Sequence, residues 1–150
     1  MASNVRIDQS HCNFQLANWL SRNRWTVLFR DPGRASRGLS GTQEVLLGIF
    51  ERNAWPIPDL VAIKDDGLLL IEIDHRIQAT SASISRYREV QHELLASVNS
   101  AKITGPVSRL LLGFTKIGAI RNPVDILNSY GLEMVVSFDE PFAPAVLWNL

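Results

Sequence analysis

Two apolar runs of strand length, 60–64 (LVAIK) and 68–74 (LLLIEID), flank Asp65-Asp66-Gly67. Asp-Gly between such runs is a strong hairpin signal, because both residues accept the backbone of a tight turn. Side chains alternate between the faces of a sheet, and directly opposed residues share a face. With Asp66-Gly67 as the turn, Val61 faces Glu72 and Asp59 faces Asp74. Asp59, Val61, Glu72 and Asp74 then lie on one face. Leu60, Ala62, Lys64, Leu69, Ile71 and Ile73 take the other. A turn at Asp65-Asp66 gives the same grouping, whereas a three-residue loop flips it. Most plausible registers therefore gather three carboxylates at one end of an apolar hairpin.

Around this hairpin the pattern is that of an α/β domain. Apolar spacing predicts helices over 14–21, 41–52 and 84–98, the second opened by Ser40 and Gln43 as a capping box. Strands are expected at 25–30, 109–116 and 132–138. Asn122, Pro123 and Gly131 bracket a short helix, with proline at its first position and glycine past its end. An antiparallel hairpin followed by strands fed through helical crossovers implies a mixed central sheet flanked by helices on both faces. With 150 residues and no internal repeat or linker, the reading is a single domain, 1–150.

Composition narrows the classes. Apolar residues are 46% and charged residues 20% of the chain, which suits a packed globular core and excludes disorder or a disulfide scaffold. The lone Cys12 cannot form an internal bridge, and no apolar h-region opens the chain, so a reducing, cytoplasmic setting is expected. No apolar run is long enough for a transmembrane helix, so no membrane partner is expected. Net charge is zero, but Arg22, Arg24, Arg30, Arg34 and Arg37 crowd a Gly- and Ser-rich stretch opposed only by Asp31. Arginine favours bidentate phosphate contacts, so Arg24, Arg30, Arg34 and Arg37 are candidate nucleic-acid contacts. The apolar tail 145–150 (AVLWNL) is a candidate interface. No Walker, dinucleotide-binding or nucleophile-elbow glycine motif is present.

Clustered carboxylates repel and hold their protons more tightly unless a cation compensates. Mg²⁺ suits hard oxygen ligands and is content with one or two carboxylates plus substrate phosphate, which is a layout for phosphodiester hydrolysis. Pro58-Asp59, a hairpin, then Glu72-Ile73-Asp74, preceded by a glutamate-bearing helix, resembles the PD-(D/E)XK restriction endonuclease-like nuclease superfamily. The stretch IPDLVAIKDDGLLLIEID looks most like the cores of small restriction enzymes and archaeal-type Holliday-junction resolvases, and the likeness covers roughly residues 40–138.

The resemblance implies a restriction endonuclease-like core, Asp59 and Glu72 as ligands of Mg²⁺ (or Mn²⁺), and DNA as partner and substrate. It implies that Glu44 touches the metal or a water on it. Asp74 stands where the family usually has lysine. It then serves as a third metal ligand or a water-orienting carboxylate, it inactivates the site, or a cation has migrated from Arg76, Arg86 or Arg88. Lys64 lies on the wrong face. Tyr87 and Gln91, on the following helix, are candidates to face the carboxylates, and helix packing alone accounts for Tyr87 equally well. One site per chain would cut two strands as a homodimer or in two encounters. The rival expectation is a nucleic-acid-binding or assembly module that keeps the fold without turnover.

Overall fold

The structure, a computed structural model, describes residues 8–31, 41–140 and 143–148. Its elements run α1 (Gln9–Arg22), β1 (Thr26–Arg30), α2 (Gly41–Arg52), β2 (Leu60–Lys64), β3 (Gly67–Asp74), a 3-10 turn (Ile77–Thr80), α3 (Ser81–Glu89), α4 (Gln91–Ala101), β4 (Arg109–Lys116), α5 (Pro123–Tyr130), β5 (Met134–Glu140) and β6 (Ala143–Trp148). Among the described residues the strands form one sheet in the order β1-β2-β3-β4-β5-β6. β1, β2 and β3 form an antiparallel meander, β3, β4 and β5 run parallel, and β6 turns back antiparallel on β5. The expected mixed α/β sheet with helices on both faces is present.

The layering follows from crossover handedness. The parallel strands advance in one direction across the sheet, and right-handed crossovers then place both helical connections on the same face. α3, α4 and α5 accordingly bury Ile84, Tyr87, Leu94, Val98 and Leu127 against Val61, Leu70, Leu112 and Phe114, and α2 adds Leu46, Ile49 and Phe50. The opposite face belongs to α1, whose Cys12, Leu16, Ala17 and Leu20 cover Leu60, Ala62, Leu69, Ile71 and Ile73. Face parity in the hairpin is therefore as the sequence predicts. No helix among the described residues is long and apolar enough to cross a membrane.

Two expectations need correction. The hairpin turns at Asp65-Asp66, with Lys64 opposite Gly67 and Val61 opposite Leu70. Asp65 takes φ 54, a left-handed backbone that Asp tolerates. Asp66 is then pinned by the hydroxyl of Ser108 and by Arg109. This shift moves Asp59 from Asp74 to Glu72 as its partner. The helix expected over 84–98 breaks at Val90 (φ −104, ψ 15), and the two pieces bury Tyr87 and Leu94 in the same core. Of the expected interface 145–150, residues 145–148 belong to edge strand β6, where Trp148 stacks on Trp25 at 5.5 Å between centroids, with Trp19 at 6.3 Å, and residues 149 and 150 lie outside the described residues. Trp25 adjoins the other edge strand, so the sheet coils far enough to bring its edges together over α1. Ser40, the expected cap of α2, lies outside the described residues.

Close packing between β3 and β5 runs through Gly113 of β4. A Cβ there would stand 2.9 Å from Met134 Cε and 3.3 Å from Ile71 Cγ1. Gly113→Val should therefore cost about 1–3 kcal/mol through overpacking. Urea unfolding measures this, and an unchanged midpoint would show that the layer has slack.

Candidate metal site at the end of the hairpin

Three acids stand in a row across the meander. One step beyond the pair Leu60–Ile71 brings Asp59 opposite Glu72, and one step beyond Arg30–Leu60 brings Asp31 opposite Asp59. Backbone bonds hold the row: Asp31 N–H donates to the Asp59 carbonyl at 2.8 Å, and Asp59 N–H to the Ile71 carbonyl at 3.0 Å. Asn13, fully buried on α1, braces the same point. Its amide donates to the carbonyls of Asp31 and Asp59 at 2.5 and 2.7 Å, while its oxygen accepts from Arg30 Nε at 2.8 Å.

Asp59 and Glu72 are in hydrogen-bond contact through their side chains. Asp59 Oδ2 accepts from Ile73 N–H at 2.7 Å and Oδ1 from Gln9 Nε2 at 2.7 Å, which fixes that carboxylate. Glu72 is buried, at 7% exposure. Ser83 lies beside it and favours its charged form, and the hydroxyl of fully buried Tyr87 reaches its Oε1 at 3.5 Å. Ser83 and Tyr87 are one helical turn apart on α3, so both reach the same carboxyl. A cleft of about 310 Å³ lined by Asp8, Gln9, Ser10 and Asp31 opens on the Asp59 side.

Removal from water and mutual repulsion hold a proton on this pair. Burial, then the Asp59 charge, pushes Glu72 up to about 8. Burial pushes Asp59 up to about 6, opposed by the Ile73 N–H and aided by the Asp31 charge. Near neutral pH the pair thus holds one proton shared between its two carboxyls. The same burial, with the two carboxylates nearby, pushes the Tyr87 hydroxyl far above its ordinary range, so it stays a neutral donor.

The other expected site residues are not gathered here. Asp74 shares the face of Glu72, but its Oδ1 accepts the N–H groups of His75 and Arg76 at 2.7 and 3.3 Å, and its strand partner is Lys116. Glu44 is exposed in the first turn of α2. Among the described residues no three His, Cys, Asp or Glu side chains converge closely enough to form a metal-binding group. The cation expected to migrate inward is absent from the pair's surroundings. Arg86 bonds Glu89 at 3.0 Å, and Arg88 caps α5 through the carbonyls of Tyr130 and Gly131. Gln91 is exposed, whereas Tyr87 does face Glu72.

Of the arginines expected to meet nucleic acid, Arg24 is exposed at the far end of β1, roughly 16 Å of strand from Asp31. Arg30 is half-buried, bonds Asn13 and lies 5.5 Å from the Phe14 ring, and burial lowers its affinity for its proton. It anchors α1 to the acidic row. Arg34 and Arg37 lie outside the described residues. Sequence reading missed Asp31, Gln9, Asn13 and Ser83. For Asp31 the usable signal was its place one residue past the strand 25–30, where a β1–β2 pairing puts it opposite Asp59.

The pair makes stability depend on pH. Unfolded carboxyls lose their protons near 4, whereas the folded pair keeps one up to about 8. The folded chain thus holds the extra proton in that window, so its contribution is fullest below about 4 and is lost as pH rises through about 8. Glu72→Gln, neutral throughout, should gain stability over the wild type between pH 5 and 8, by roughly a few kcal/mol at the upper end. Urea unfolding at several pH values measures the difference, and parallel curves for the two proteins would contradict the shared proton.

No protein-family model matches the chain, and a search of curated proteins finds no match either.

Proposed function

We propose that the chain is a divalent-metal-dependent endodeoxyribonuclease built on a restriction endonuclease-like core, hydrolysing phosphodiester bonds in DNA. The observation that carries this reading is the contact between Asp59 and Glu72, two carboxyls held together out of water with no cation among the described residues to neutralise them. The order of elements agrees with it. A helix and a three-stranded meander precede the helices that lead to the next parallel strand, and Pro58-Asp59 opens the middle strand of that meander.

The donors suit Mg²⁺ or Mn²⁺. Gln9 and the Ile73 N–H take one lone-pair site on each oxygen of Asp59, and a carboxylate oxygen offers about two, so loss of the proton shared with Glu72 leaves coordination capacity. Two carboxylates match a cation that retains several waters and takes its other ligands from substrate phosphate. When bound, such an ion would supply Lewis-acid charge at a phosphoryl oxygen and a more acidic water. The remaining work falls to this chain. Gln9 and the Ile73 N–H aim Asp59, while Ser83 and Tyr87 aim Glu72. The pair's shared proton would leave when the two carboxyls become a ligand set, which ties metal affinity to pH. Asp31, opposite Asp59 in the row, is the nearest further carboxylate, while Asp74, two residues from Glu72 on the same face, is held by the N–H groups of His75 and Arg76.

The second reading is a nucleic-acid-binding module without turnover. It is favoured by the lack of a lysine-like cation at the pair and by the engagement of Asp74 with backbone N–H groups. Incubation with supercoiled plasmid and with four-way-junction DNA, in Mg²⁺ or Mn²⁺, separates the two. The nuclease reading predicts cleavage that falls at least about a hundredfold in Asp59→Asn, a larger loss than disturbing the groups behind a ligand. Binding of DNA without cleavage under either metal would favour the module. Metal affinity measured by calorimetry should rise from pH 6 to pH 8 with release of a proton. A flat pH profile would mean that the metal does not displace the pair's proton.

A further inference from the structure

A cleft of about 510 Å³ opens where β3 and β4 end, bounded by the 3-10 turn and by α5. Crevices outside the carboxyl ends of parallel strands are where open α/β sheets take their ligands. This one lies in the size range of small-molecule sites, roughly 300–1,000 Å³.

Its lining divides by chemistry. Arg76, Lys116 and Arg121 supply positive charge against the single carboxylate of Asp125. Arg76 and Arg121 are exposed, and among the described residues neither guanidinium forms a salt bridge. Lys116 Nζ gives one hydrogen bond to the His75 carbonyl and keeps two N–H donors. The first turn of α5 faces the same space, and Asn122 makes no side-chain cap bond to it. The other wall is apolar, with Phe114, Ile126 and Tyr130. A cationic rim beside an aromatic and aliphatic wall fits a ligand with a phosphate at one end and a flat apolar body at the other.

We propose that this cleft binds a nucleotide, its phosphate on Arg76, Lys116 and Arg121 and its base along Tyr130 and Ile126. The phosphate preference stands on the cleft's own residues. Its role as the next step of a substrate path rests on the nuclease reading. Phe114 of the cleft is the strand partner of Glu72, so the cleft begins one strand over from the acidic pair, roughly 5 Å away across the sheet.

Calorimetric titration of the full chain without divalent metal tests this, with thymidine 5′-monophosphate, thymidine, inorganic phosphate and a short single-stranded oligonucleotide as probes. The nucleotide should bind at least roughly tenfold tighter than thymidine, inorganic phosphate should compete, and Arg76→Ala with Arg121→Ala should lose roughly tenfold or more. An oligonucleotide that binds tighter than the mononucleotide, with the same loss in the double variant, identifies a polynucleotide as the source of the phosphate. Equal affinities identify a free nucleotide. Equal binding of thymidine and its monophosphate, an unaffected double variant, or no binding at millimolar concentration would overturn the proposal. Nucleotide binding without DNA cleavage removes the nuclease reading alone. Cleavage without nucleotide binding removes the cleft alone.

Discussion

Two carboxyl groups that meet out of water cannot both ionise unless a cation joins them. That constraint governs the end of the hairpin. Asp59 and Glu72 are brought together by strand register, and the bonds from Gln9 and the Ile73 N–H to Asp59 and from Tyr87 to Glu72 hold the two side chains where they meet. The chain meets the cost with one retained proton and a shell of neutral donors: Gln9, the Ile73 N–H, Ser83 and Tyr87. Such a shell orients ligands without supplying the charge that a divalent ion would bring.

The fold explains how so many elements reach one point. Crossovers on one face deliver α3, with Ser83 and Tyr87, above Glu72. α1, alone on the opposite face, supplies Gln9 and Asn13 at the open end of β2. The acidic row is therefore gripped from both layers of helix. The carboxyl ends of β3 and β4 remain uncovered beside it, where the basic cleft forms. Acid and base thus lie side by side along one margin of the sheet, an arrangement suited to a phosphodiester that must be held at one place and attacked at another.

Much of this was legible in the hairpin alone. Alternation of apolar side chains placed Asp59, Glu72 and Asp74 on the face of Val61 whichever two-residue turn formed, and that grouping depends only on parity. The partner of Asp59 was not legible, because Asp65-Asp66 and Asp66-Gly67 are both acceptable turns and differ by one step in each strand. Asp31 escaped because its pairing closes a loop across α2, a contact that local patterning does not encode. The engagement of Asp74 by the chain just after it, and the break at Val90, are likewise settled by tertiary context. The arginines were recognised by composition, which says nothing of direction. Arg30 is used to fasten α1, while Lys116 and Arg121, scattered in sequence, meet at the cleft.

The most direct test is a carboxyl-carbon NMR titration of the metal-free protein, with Asp59 and Glu72 assigned through Asp59→Asn and Glu72→Gln. The account predicts two separated steps for the pair, the upper near pH 8, with the upper step moving down when Mg²⁺ is added. Two carboxyls that both ionise near pH 4 and ignore the metal would contradict it.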